Sequence, residues 1–281
     1  MDKKKSTNQT PTPNSKWLVF TSAGDSNNIK NWLKSRKFDL WICYYGDKKN
    51  SLSKNSDFYF ERKGGKTQNF YYALSKWRTQ IKKYDAVLLA DDDIIISGKN
   101  INRLFNIRDE YNLKALQPAF NIRGKNSHKF TEAKPFTKLR YTNFIEIGFP
   151  LFEQQALLEF MELYKPAVNC WGVDWWFSYV IKEKYGKKSI AIIDEIMALN
   201  PFDNDKKNGS EIEKLSSIKK LSSDWDLFQH DNAITTEKGI YKVYSKVPTF
   251  NIILFLIFLS VVFSYNIERI KNKIKFILTK Q

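Results

Sequence analysis

A chain of 281 residues, 42% hydrophobic and 15% aromatic, can bury one large or two small cores, which excludes a disordered or fibrous class for its bulk. Lysine and arginine outnumber aspartate and glutamate by 46 to 30, a net charge of +16 that admits nucleic acid, an anionic lipid surface or a phosphate-bearing substrate as partner. Two cysteines, Cys43 and Cys170, exclude a disulfide framework and a four-cysteine zinc site, and both read as packing residues.

The first fifteen residues are rich in Lys, Ser, Thr, Asn and Pro, and read as a flexible basic tail with no apolar leader. Trp17–Thr21 is a short apolar strand closed by Gly24-Asp25. Asn27–Lys37 has helical character. Phe38–Tyr45 is a second strand, closed by Gly46-Asp47, and Asp57–Phe60 a third. After Gly64-Gly65, residues Phe70, Leu74, Trp77 and Ile81 fall on one helical face. Asp85–Ala90 is apolar throughout, as a central strand covered on both faces should be. Helix is predicted over Ile101–Tyr111, Phe152–Tyr164 and Val173–Tyr185, and strand over Ala115–Phe120, Tyr141–Gly148 and Ser189–Asp194. This alternation predicts an α/β domain over 16–235 with a mostly parallel sheet, whose ligands bind at the carboxyl ends of the strands.

The tail of the chain differs. Ile252–Tyr265 carries no charge, and the nineteen residues 247–265 would span about 28 Å as a helix. Beyond them, Ile267, Ile270, Ile274 and Ile277 alternate with cations. The expectation is a linker at 236–246, an apolar membrane segment at 247–265, and a basic amphipathic tail at 266–281 lying on anionic lipid. The protein would then be membrane-associated through its C-terminus, with a cytoplasmic catalytic domain. No zinc-finger, helix-turn-helix or ribonucleoprotein motif supports a nucleic-acid partner.

Asp91-Asp92-Asp93 follows the central apolar strand. In an extended chain residues i and i+2 project together, so Asp91 and Asp93 converge while Asp92 points away. Two convergent carboxylates suit a hard cation, Mg²⁺ or Mn²⁺, of the kind that clamps a diphosphate. An Asp-x-Asp after an apolar strand also occurs in haloacid-dehalogenase-like phosphatases, but there it continues into Gly-Thr or Gly-Val, whereas here Ile-Ile-Ile follows. In Trp171–Phe177 (WGVDWWF), a helix starting at Gly172 would bury Val173, Trp176 and Phe177 and set Trp175 on the opposite side. Asp174, in the first turn, is a candidate general base, or a partner of the helix dipole.

Seven ordered stretches between Trp17 and Pro201 resemble the glycosyltransferase-like family called domain of unknown function 707. They are FTSAGD at 20–25, FDLWICYYGD at 38–47, RKGGKTQNFYYAL at 62–74 and DDDIIISGKNINRLF at 91–105, then LQPAFNIRGKNSH at 116–128, RYTNFIEIGFPLF at 140–152 and WGVDWWF at 171–177. The resemblance implies a GT-A-like, Rossmann-like nucleotide-sugar fold with Asp91 and Asp93 in the metal-binding role, and His230 as a third metal ligand. It implies that Gly24, Asp25, Asp47 and Asp92 meet the nucleoside, and that Arg62 and Lys66 meet the diphosphate. Glu146 competes with Asp174 as base, and Trp171, Trp175 and His128 line the acceptor site. The implied activity is metal-dependent transfer of a sugar from a nucleotide-sugar donor to a glycan or lipid-linked acceptor. The alternatives are a non-catalytic, membrane-attached carbohydrate-binding module or a haloacid-dehalogenase-like phosphatase.

Overall fold

The structure, a computed structural model, describes residues 10–48, 52–168, 171–202, 218–249 and 252–278. Cys170 therefore lies outside the described residues.

Apolar strands β1 (Trp17–Ala23), β2 (Asp39–Tyr44), β3 (Phe58–Glu61) and β4 (Ala86–Asp91) pair in parallel, in the order β3-β2-β1-β4. β1 and β2 are buried along their whole length, because helices cover both faces. Between them run α1 (Lys30–Leu33), much shorter than the 27–37 expected, and α2 (Lys66–Ile81). Gln68 reaches back to the amide of Gly65, 3.0 Å away, to satisfy an orphan donor at the start of α2. The helix α3 (Gly98–Tyr111) begins where Ser97 Oγ accepts the Asn100 amide and ends at Asn112, which takes the left-handed conformation.

The second half of the sheet is mixed. β5 (Ala115–Phe120) runs parallel to β8 (Ile190–Ala198), while β6 (Thr137–Thr142) is antiparallel to β8. The two halves are joined by β7 (Leu151–Glu153), antiparallel to both β4 and β5, and β9 (Val243–Pro248) lies at the far edge, which gives nine strands among the described residues in the order β3-β2-β1-β4-β7-β5-β8-β6-β9. The strand expected over 141–148 is in fact β6 followed by an irregular turn, after which the carbonyls of Gly148 and Pro150 accept the amides of Asp91 and Leu89 on β4. Pro118 lies inside β5, and the register with β8 shifts after it, from Pro118 opposite Ile193 to Ala119 opposite Met197. A proline offers no amide to the ladder, and the slip frees Asp194 on β8 for a different partner.

Helices α4 (Gln154–Leu163) and α5 (Val173–Tyr185) pack against each other on one face of the sheet. A further helix, α6 (Ile218–Asp231), seats Trp225 beneath the start of α5. Gly172 makes this possible. Its φ is +79°, and a Cβ there would meet the Trp225 ring at 2.2 Å.

Two corrections concern the C-terminus. The expected linker at 236–246 gives way at Val243, where β9 (Val243–Pro248) extends the sheet antiparallel to β6. The last helix, α7 (Ile252–Leu278), begins against the domain, with Phe255 stacked on Phe136 at 4.5 Å. Among the described residues no helix is long and apolar enough to cross a membrane. Within α7 the uncharged run of sixteen residues, 252–267, rises about 24 Å against a hydrocarbon core of about 30 Å. Residues 247 and 248, counted towards the span, belong to the sheet. The expected membrane attachment through the C-terminus is thereby overturned.

Candidate active site

The carboxyl ends of β1, β2, β3 and β4 lie side by side, and their loops carry most of the residues singled out in the sequence. At the end of β4, Asp92 is turned inward and buried. Its carboxylate accepts the amide of Gly24 at 2.8 Å, and its carbonyl accepts the amide of Asn28 at 2.7 Å. Asp91, the last residue of β4, and Asp93, in the turn that follows, are half-exposed on either side of it. Asp92 thus shapes the loop after β1.

Lys66 stands at the first turn of α2. Its ammonium is buried, 2.7 Å from Asp91 Oδ1, 2.6 Å from the carbonyl oxygen of Ile147 and 3.1 Å from that of Gly148. Three acceptors saturate an ammonium. The expected contact with a diphosphate is therefore replaced by a brace between β4 and the 147–148 turn. Arg62 is similarly engaged: its guanidinium donates to Asn69 and lies over the Tyr72 ring. Asp25 accepts the hydroxyl of Tyr44, which holds its carboxyl below the usual range. Asp47 is exposed and pairs with Lys63 at 2.7 Å. Gly24 lies edge-on to Tyr45, close enough that a Cβ would collide with that ring.

The two candidate bases meet deeper in the cleft. Asp174, 8% exposed, accepts the amide of Trp175 at 2.9 Å and also that of Ile147, and burial pushes its carboxyl up to about 6. Glu146, 7% exposed, is pushed up to about 8 by burial and by the negative charges of Asp174 and Asp91. Its amide donates to Gln117 Oε1 and its carboxyl meets Thr131 Oγ1, both at 2.5 Å.

Thr131 is held in turn by a buried ion pair. Arg140 bonds both oxygens of Asp194, at 2.8 and 3.0 Å, and also the carbonyl oxygens of Phe130 and Glu132. The slip after Pro118 thus orients Asp194, Arg140, the 130–132 loop and finally Glu146. Thr131, Gln117 and Arg140 lay outside the residues singled out in the sequence. Their separations from Glu146 give no local pattern to read.

The aromatic candidates sit above these acids. Trp175 was expected on an open side of α5. It is instead 5% exposed and stacked on Phe144 at 4.1 Å, so both sides of the helix are covered. His128 lies against Phe144 and Trp175, its Nδ1 meets the hydroxyl of Tyr241, and burial lowers its pKa. Tyr241, another residue not singled out, is the exposed member of this cluster. Trp171 is half-buried against the core beside α5. Cys43 is buried, its thiol pushed up to about 12 by desolvation, as a packing residue should be.

His230 does not join the aspartates. It is exposed at the end of α6, with Asp231 at 3.3 Å. Among the described residues no group of three or more His, Cys, Asp or Glu side chains is gathered around one point. The donor set available to a cation is Asp91 and Asp93, two hard carboxylates at a strand end. Gly148 leaves the space beside Asp91 open, since even a Cβ there would lie 3.5 Å from Oδ2. Such a pair fits an ion that takes its remaining ligands from phosphate and water, as Mg²⁺ does.

Among solved structures the chain is similar to GalNAc-T7, crystallised with UDP, GalNAc and Mn²⁺. The TM-score is 0.52 at 12% identity, over 79% of this chain and 56% of that one. It also matches TarS 1–349 of S. aureus in complex with UDP-GlcNAc, at TM-score 0.48 and 11% identity, over 79% and 67% of the two chains. A putative nucleotide-diphospho-sugar transferase from Desulfovibrio desulfuricans G20 matches at TM-score 0.38 and 14% identity, over 78% and 98%. No family model and no curated protein matches the chain, and the resemblance to the 707 family is without that support. At 12% identity the likeness to GalNAc-T7 shows a shared fold alone, a mixed α/β sheet flanked by helices. This chain spans little more than half the length of GalNAc-T7.

Proposed function

We propose that the protein is a glycosyltransferase that moves a sugar from a nucleoside-diphosphate donor to a hydroxyl of a glycan or lipid-linked acceptor. One observation carries the reading. At the carboxyl ends of parallel strands, Asp91 and Asp93 flank an inward-turned Asp92, and the buried carboxyls of Asp174 and Glu146 lie in the same cleft.

Asp91 and Asp93 would hold Mg²⁺ or Mn²⁺, which when bound neutralises charge on the diphosphate. The loops after β1 and β2, with Gly24, Asp25 and Asp47, frame the nucleoside. Asp174 takes the proton of the acceptor hydroxyl as its oxygen bonds to the anomeric carbon. The bond from that carbon to the diphosphate breaks, and the electron pair leaves with the nucleotide. An Asp174 carboxyl near 6 is ionised at neutral pH and still basic enough to accept that proton. His128, Trp175 and Tyr241 form the wall against which a sugar ring is placed.

The test is transfer from UDP- and GDP-sugars, with and without Mn²⁺, in wild type and Asp93→Ala. Metal-dependent turnover that is lost in the variant supports the reading. Undiminished, metal-independent turnover in the variant removes the metal role.

A further inference from the structure

We infer that Asn143 is a positioning residue for the acceptor: its side chain brackets Tyr241 and fixes that ring as the platform on which an acceptor sugar stands. The inference rests on the reading of the aromatic wall as the acceptor site. Asn143 directly follows β6 and is 2% exposed. Its Nδ2 donates to the carbonyl oxygen of Ile240 at 2.7 Å and to Glu237 Oε2 at 2.9 Å. Its Oδ1 accepts the amide of Lys242 at 2.7 Å. An asparagine amide has two hydrogens to give, and both go to one distant segment. Ile240 and Lys242 are the two neighbours of Tyr241. One bond therefore holds the peptide group before Tyr241, and another holds the peptide group after it.

The segment needs such a hold. Lys238, Gly239 and Ile240 are exposed, and Gly239 stands in open space with φ of +81°. With so little apolar surface buried, its place in the molecule depends on polar bonds. Glu237 supplies the remainder. Its carboxylate pairs with the buried Lys182 of α5 at 2.8 Å and with Lys242 at 3.0 Å. The segment is thereby tied to the helix whose first turn carries Asp174.

The held ring is well placed for a sugar. Tyr241 is stacked on Phe130 at 4.9 Å and lies 5.2 Å from Trp175, the residue after Asp174. Its hydroxyl meets Nδ1 of His128. Phe144, the residue after Asn143, supports the ring edge-on at 5.5 Å. Tyr241 nevertheless remains exposed, an apolar body with a fixed polar tip. Such a ring suits the C–H face of a pyranose. Because Asn143 has already ordered it, acceptor binding does not have to meet the cost of ordering the segment.

The test is a double-mutant cycle read by acceptor kinetics and hydrogen exchange. Transfer from UDP-sugars to p-nitrophenyl glycosides is measured in Asn143→Ala, Tyr241→Ala and the double variant. Each single substitution should raise the acceptor KM about tenfold and change the donor KM by less than about twofold. In the Tyr241→Ala background, Asn143→Ala should add less than about twofold, since the ring it positions is gone. Two effects that multiply, as a merely structural Asn143 would give, overturn the proposal. So does an unchanged acceptor KM in either single variant. In Asn143→Ala the amides of 237–242 should exchange at least about tenfold faster than in wild type, and unchanged exchange would also overturn it. Should Asn143→Ala fail to fold, Glu237→Ala replaces it in both measurements with the same expected outcomes. A wild type that transfers to none of the glycosides defeats the transferase reading, while hydrogen exchange still decides whether Asn143 holds the segment.

Discussion

The Lys66 ammonium lies 2.7 Å from the Asp91 carboxylate, and the same group holds the carbonyl oxygens of Ile147 and Gly148. One side chain at the start of α2 therefore joins the acidic end of β4 to the turn that carries Glu146. Lys66→Met should cost about 1–3 kcal/mol, the lower part of the range for broken buried pairs because Asp91 is 44% exposed. At roughly 2–4 °C per kcal/mol for a domain of this size, calorimetry should show the loss as a lower Tm. Transfer should fall with it, since the turn that aims Ile147 at Asp174 loses its brace.

Asp174 sets the acidic limb. A base must be ionised, and its carboxyl is raised to about 6, so kcat/KM should drop as pH falls through that value, tenfold per unit. Asp174→Asn should remove about 10²–10⁴ of the rate while nucleotide affinity, measured by calorimetry with UDP or GDP, is kept. An unchanged acidic limb in that variant would assign the limb to another group.

Glu146 carries a stability signature of its own. Its folded pKa, about 8, lies above the ordinary 4.5, so between these values the unfolded chain has released a proton that the folded one retains. Stability from this group is full below pH 4.5 and declines as pH rises to 8. Glu146→Gln does not titrate. Its Tm relative to wild type should therefore climb across that window and level off above it, as scanning calorimetry at pH 4, 6 and 8.5 would reveal.

Gly172 tests how α6 is seated. A methyl group there meets the Trp225 ring at 2.2 Å, on a backbone with φ of +79°. Gly172→Ala should lift Trp225 out of its site and cost about 2–4 kcal/mol. Tryptophan emission should move to longer wavelength, and limited proteolysis should cut before α6.

The alternation of strands and helices was legible because it follows from short-range periodicity. The strand period reaches only Asp91, since Asp92 and Asp93 lie in the turn after β4, where the Ile94 amide returns to the Asp91 carbonyl. Other elements left no such trace. β7 has three residues, too few for a period, and β9 hides in a stretch with exposed Val243 and Lys246 that reads as linker. Residues 143–148 were read as the continuation of a strand from Tyr141 because Phe144, Ile145 and Ile147 are apolar, yet β6 ends at Thr142. Trp175 looked solvent-facing on a helical wheel, which cannot know that Phe144 comes from a distant loop to cover it. Thr131, fifteen residues from Glu146, and Gln117, twenty-nine away, are joined to it by the fold alone. His230 was placed by analogy of position in the chain, and α6 sends it to the surface.

β7 joins the sheet through Ala86–Leu88 of β4 on one side and Ala115–Leu116 of β5 on the other. Hydrogen exchange should then divide the molecule in two, with the amides of β1, β2 and β4 opening as one cooperative unit and those of β5 and β8 as another. Asp91 belongs to the first unit, whereas α5, with Asp174, packs on β8 in the second. On the proposed function, a hairline separation along this seam would change the gap between Asp91 and Asp174 without unfolding either side, so that substrate exchange and thermal fragility would share one set of hydrogen bonds.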